Sequence, residues 1–107
     1  MKPIRLHPRV YDDIDQALAH TRAEFGPRQV PVYARLIVEG RLTIRRHPTI
    51  GQIHEELGPG VRVFCIARGR IRAPHGYIYR IQADGMIYVA RFVHLARYLP
   101  ELVPEDF

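Results

Sequence analysis

The chain contains one cysteine, Cys65, one lysine, Lys2, and no tryptophan. A lone thiol cannot close an intramolecular disulfide, so stability must come from a packed core, and a reducing compartment suits such a chain. No stretch of 18 apolar residues is present to cross a bilayer, and no apolar segment follows Lys2 to Pro8 as a signal peptide would require, so a cytoplasmic location and no membrane role are expected. The six histidines and single cysteine lack the spacing of a zinc site, and neither metal nor cofactor is expected. A nucleophile-elbow serine, a phosphate-binding glycine loop and a paired-carboxylate motif are also absent, which leaves hydrolase, nucleotide-binding and glycosidase readings without support.

What is present is globular: 107 residues, 47% apolar and 25% charged, enough for one domain spanning 1–107 with one modest core. The net charge is +5, and fifteen of the sixteen basic residues are arginines. Arginine makes planar, bidentate contacts to phosphates and carboxylates, so the surface suits nucleic acid or an acidic protein partner. A GC-rich genome explains a high arginine-to-lysine ratio equally well, but not the excess of positive charge.

Periodicity gives an α+β order. Ile4 and Leu6 alternate with Arg5 and His7 as a short strand, and "PRVYDDIDQALAHTRAEFG" then repeats apolar residues every three or four positions (Val10, Tyr11, Ile14, Ala17, Leu18, Thr21, Phe25). Asp12, Asp13 and Asp15 suit the positive end of that helix dipole, and Gly26-Pro27 ends it. A second helix is expected from near Val30 through "VYARLIVEGRLTIRR", with Gly40 marking a close approach of the two helices. "HPTIGQIHEELGPG" reads as an irregular loop anchored by Ile50, Ile53 and Leu57. "VRVFCIAR", "GYIYRIQ" and "MIYVARFV" then alternate as strands, the last two joined by the tight turn Ala83-Asp84-Gly85. The expected fold is β-α-α-β-β-β, an antiparallel sheet covered by a helix hairpin, with a proline-interrupted tail.

Chemistry has few bearers. Arg68, Arg70 and Arg72 in "RGRIRAPHG" would form a basic ladder on one face if the first meander strand continued through them; otherwise they are a solvated hairpin tip. Tyr77, Tyr79 and Tyr88 could stack with bases or simply pack on the sheet. His54 beside Glu55 and Glu56, and His94 three residues after Arg91, are the acid–base candidates. Arg91 lies between Ala90 and Phe92 in an apolar strand, where a guanidinium must either pair with an acid such as Asp12 or Asp13 or reach a concave surface.

Taken in order, "LHPRVYDDID", "HPTIGQIHEELGPGVR", "YIYRI" and "VARFVHLAR" resemble the RelE/ParE superfamily of toxins from bacterial type II toxin–antitoxin systems, closer to the ParE branch. The resemblance implies a toxin that inhibits DNA gyrase without enzymatic activity and is neutralised by a cognate acidic antitoxin. It places Arg91, His94 and Arg97 on matching positions of the ParE ending and sets Arg91 on the concave sheet surface where the antitoxin would dock; Arg62 and the ladder residues Arg68, Arg70 and Arg72, whose long connection is unusual for the family, join them as expected target- or antitoxin-binding residues. Tyr98 departs from the pattern, where the family often has an acid. The alternative is a RelE-like ribosome-dependent mRNA endonuclease built on Arg62, Arg80, Arg91, His94 and Tyr98. Against it, Lys2 is the only lysine and Ile78 stands where that branch has an arginine. A third reading is a non-toxic basic interaction module.

Overall fold

The computed structural model describes residues 1–107. Strand β1 (Ile4–Leu6) leads into helix α1 (Pro8–Phe25), which is capped by the His7 side chain accepting from the Arg9 amide at 3.2 Å. Gly26, at φ 89°, ends α1. Helix α2 (Gln29–Arg46) carries Pro31 in its first turn, where the missing amide hydrogen would have had no helical partner. A 3-10 turn (Pro48–Ile50), the two-residue strand β2 (Gln52–Ile53) and a second 3-10 turn (Glu55–Leu57) follow, so the segment read as an irregular loop is partly regular. Of its three apolar anchors only Leu57 is buried. Strands β3 (Arg62–Arg68), β4 (Ile71–Ile81) and β5 (Ile87–His94) form the meander, and a final 3-10 turn spans Leu99–Leu102. Neither helix is long and apolar enough to cross a membrane.

The sheet order is β1-β5-β4-β3-β2. Three of its pairings are antiparallel, but β1 runs parallel to β5, with Ile4 opposite Ile87 and Leu6 opposite Val89. The all-antiparallel expectation is corrected at this edge because the helix hairpin carries the chain away and back before β5 is laid down beside β1. The β4–β5 turn is the expected one, with Gly85 at φ 86° and the Met86 amide donating to the Asp84 carboxylate at 2.9 Å.

Both faces of the sheet are covered. Val10, Ala17, Ile37 and Ile44 of the helices pack on Ile66, Tyr77, Tyr79, Ile87, Val89 and Phe92. On the opposite face Val61, Val63, Ile78, Ala90 and Val93 are covered by Leu57 and by the tail, through Leu102 with Leu95, Leu99, Val103 and Phe107. The tail is thus the second layer of the fold. Tyr11 and Phe25, expected on the inner stripe of α1, are exposed, whereas Asp13 is buried. None of the three aspartates lies in the first turn, where the dipole would act on it.

Gly40 meets the sheet rather than the other helix: a Cβ there would stand 2.6 Å from Ile66 Cγ2 and 3.2 Å from the Tyr77 ring. Gly76 is as close but to backbone, because its Cβ would fall 2.6 Å from the carbonyl oxygen of Phe64. Backbone on a neighbouring strand cannot swing aside as a side chain can, so Gly76→Ala is expected to cost about 2 kcal/mol. Urea unfolding monitored by far-UV circular dichroism measures it, with Gly69→Ala, whose strain is conformational only, as the comparison.

Candidate functional site

Arg91 faces inward. It is 6% exposed and holds Asp13, 8% exposed, in a two-pronged pair: Nε to Oδ2 and Nη2 to Oδ1, both 2.8 Å. Its Nη1 donates to the Leu102 carbonyl oxygen at 2.8 Å, and Asp13 Oδ2 also accepts the Phe92 amide at 3.0 Å. Strand β1 ends opposite Val89, so beyond it β5 has no strand neighbour on that side, and the Asp13 carboxylate satisfies an edge amide there. One carboxylate and one guanidinium thereby tie α1, β5 and the tail together, and the Asp13 hydrogen bonds raise the Arg91 pKa above its usual value. The expectation of Arg91 on an open concave surface is corrected: no partner reaches it without displacing Asp13.

Two other arginines are also engaged internally. Arg62 donates to the carbonyl oxygens of Gly51 and Thr49, at 2.8 and 3.2 Å, and so fastens the segment between α2 and β3. Arg80 lies over the Phe107 ring, 4.5 Å from its centroid, and donates to the Phe107 carbonyl oxygen. His94 and Tyr98 lie toward the other end of the sheet. His94 is paired across the ladder with His75, five residues from Arg80 along β4, or about 17 Å. The set Arg62, Arg80, Arg91, His94 and Tyr98 therefore does not converge on one centre.

The basic ladder is corrected as well. Gly69, at φ 60°, turns the chain, so Arg68 ends β3, Arg70 occupies the tip, and Arg72 lies on β4 opposite Ala67. Arg68 lines a cavity on the helix side and Arg72 a groove on the tail side, beside Cys65 and His54. All three, with Arg97 and Tyr98, are exposed. Of the expected site residues, Arg68 and His94 line one cavity, and His94 and Arg97 a second beside it, at the end of the sheet where α1 gives way to α2.

Sequence reasoning missed three partners there. His75 is 9% exposed, stacks on Phe92 with centroids 5.3 Å apart, and lies 2.6 Å through Nδ1 from the Tyr33 hydroxyl. His94 meets its ring edge-on at 5.4 Å, and His20 of α1 faces the same space. Burial, with smaller contributions from His94 and His20, lowers the His75 pKa to about 4, and burial raises that of Tyr33 to about 12. His20, Tyr33 and His75 come from three elements far apart in sequence, so no local spacing marks them. No group of three His, Cys, Asp or Glu side chains is arranged to hold a metal ion.

The profile of the ParE toxin of the type II toxin–antitoxin system parDE matches residues 4–98. The chain belongs to the ParE toxin family. Among solved structures, a chain of the chromosomal ParDE system of P. aeruginosa superposes with a TM-score of 0.71 at 20% identity, covering 88% of this chain and 96% of that one. A chain of the toxin–antitoxin complex RelBE2 of Mycobacterium tuberculosis gives 0.55 at 18% identity, covering 87% and 96%. No curated protein matches significantly. In this member of the family the matched span includes Arg91, His94 and Arg97, whereas Leu99 to Phe107, which covers the second sheet face, lies beyond it.

Proposed function

We propose that this ParE-family toxin inhibits DNA gyrase by surface contact in the cytoplasm and is neutralised by an acidic cognate antitoxin. The observation that carries the reading is how the arginines are divided. Arg62, Arg80 and Arg91 are committed to internal partners, while Arg68, Arg70, Arg72 and Arg97 are exposed. Cleavage of RNA through its 2′-hydroxyl needs a base, an acid and cations converging within about 3 Å of the reacting atoms. Binding needs only a complementary surface, which exposed arginines on a +5 chain supply. The family match and the fold shared with toxin–antitoxin components support an antitoxin partner, and the charge favours an acidic segment of it.

The purified chain is expected to inhibit gyrase supercoiling or trap its cleaved DNA, and to leave ribosome-bound mRNA intact. An Arg68→Gln/Arg70→Gln/Arg72→Gln/Arg97→Gln variant should fold normally and lose at least tenfold in inhibition, about 1.4 kcal/mol or more. Cuts in the ribosomal A site alongside normal gyrase activity would replace this reading with the endonuclease. Inertness in both assays, with no complex formed on co-expression with a neighbouring antitoxin gene, would favour the non-toxic interaction module.

A further inference from the structure

The cavity between the helix hairpin and the β3–β4 tip has a volume of about 450 Å³ and shares only Arg68 with the surface proposed for inhibition. Phe25, Val32, Leu36 and Pro74 supply its apolar wall, and its polar groups come from both helices as well as from the sheet. At the sheet the Tyr33 hydroxyl lies 2.6 Å from His75 Nδ1, and with the hydroxyl as donor the proton of the neutral ring is on Nε2. The Ala96 amide can only donate, so it donates to His94 Nδ1 at 3.2 Å, which again leaves the ring proton on Nε2. Neither Nε2 has a partner within the chain; no buried side-chain nitrogen is left unsatisfied, so that of His75 is not fully enclosed, His94 is itself exposed, and both rings line these cavities. Arg68 adds one full positive charge at the rim.

We infer that this cavity is a binding site for a small monocarboxylate with an aromatic or branched apolar body, its carboxylate held by His75, His94 and Arg68 and its body by Phe25, Val32 and Leu36. Two neutral donors and one cation match a single negative charge. A phosphate dianion would ask for more cations than the site has, because His75 remains neutral down to a pH of about 4. The volume lies in the range of pockets that enclose small ligands, and an apolar lining with a few convergent polar groups is the usual composition of such sites. The inference does not depend on which target the toxin meets.

Titration of the full-length chain with 3-phenylpropionate, followed through the imidazole carbon-bound proton resonances of its six histidines, tests this. Saturable shifts are expected at His75 and His94 while His7, His47 and His54 stay in place. Acetate, which lacks the body, and 3-phenylpropanol, which lacks the charge, should each bind about tenfold more weakly or worse, as should the Arg68→Gln variant with 3-phenylpropionate. The Arg68 side chain is exposed and makes no hydrogen bond within the chain, so that variant retains the fold. Val32→Glu, which puts a like charge on the apolar wall, should abolish the shifts. Equal binding of acetate or of inorganic phosphate would reduce the site to nonspecific charge attraction, and equal binding of 3-phenylpropanol to an unselective apolar cleft. Either result, or uniform shifts at all six histidines, overturns the assignment.

Discussion

Asp13→Ala is expected to destabilise the protein by about 3 to 5 kcal/mol, the cost of leaving one member of a buried ion pair unpartnered. The loss has three parts. Arg91 keeps only the Leu102 carbonyl for its buried charge, the Phe92 edge amide loses its acceptor, and the tie from α1 to the tail is cut. For a chain of this size the melting temperature should fall by about 15 °C or more. Arg91→Ala should be comparably unstable, so any toxicity it loses reports on folding and not on a lost contact with the target. The control is the double variant Asp13→Leu/Arg91→Met. Because an apolar pair removes the desolvation cost of both charges, it should recover to within about 2 kcal/mol of the wild type. Urea unfolding of the three variants decides. Wild-type stability for Asp13→Ala would mean that solvent reaches Arg91 after all.

The second large effect is pH-dependent and belongs to His75. Its folded pKa of about 4 lies below the ordinary value of 6.5 because charging the buried ring is unfavourable. Above pH 6.5 the ring is neutral in both folded and unfolded chains, and it contributes no pH dependence. Between 6.5 and 4 the unfolded chain takes up the proton and the folded chain does not, so stability rises with pH across that window and is lost as pH falls through it. The loss should approach about 3 kcal/mol by pH 4. In His75→Gln, whose amide can still bond the Tyr33 hydroxyl, the carboxylate contributions remain but this component vanishes. The difference between the two proteins' unfolding free energies should therefore be largest at pH 7 and shrink toward pH 4. Parallel profiles would show that the ring is open enough to protonate in place.

Much of this molecule is written locally. The two helices, the meander and the Ala83-Asp84-Gly85 turn follow from apolar period and from glycine and proline placement, because each depends on residues within a few positions of one another. The family is legible too, through the order of "LHPRVYDDID", "YIYRI" and "VARFVHLAR". Net charge favours an acidic or anionic partner, but it does not say which arginines are free to bind.

That division belongs to the tertiary structure alone. Arg62, Arg80 and Arg91 are the same residue type as Arg68 and Arg72, in equally strand-like surroundings. They differ only in what long-range packing brings to them: loop carbonyls for Arg62, Phe107 for Arg80, and an aspartate 78 positions away for Arg91. Pairings over such separations leave no periodic trace. The same holds for β1, whose parallel direction is set by where α1 and α2 return the chain, and for Tyr33, which joins the cross-strand pair His75 and His94 only when the helix hairpin closes on the end of the sheet. The sequence determined the elements and their order. Burial and long-range pairing decided which charges are structural and which remain for a partner.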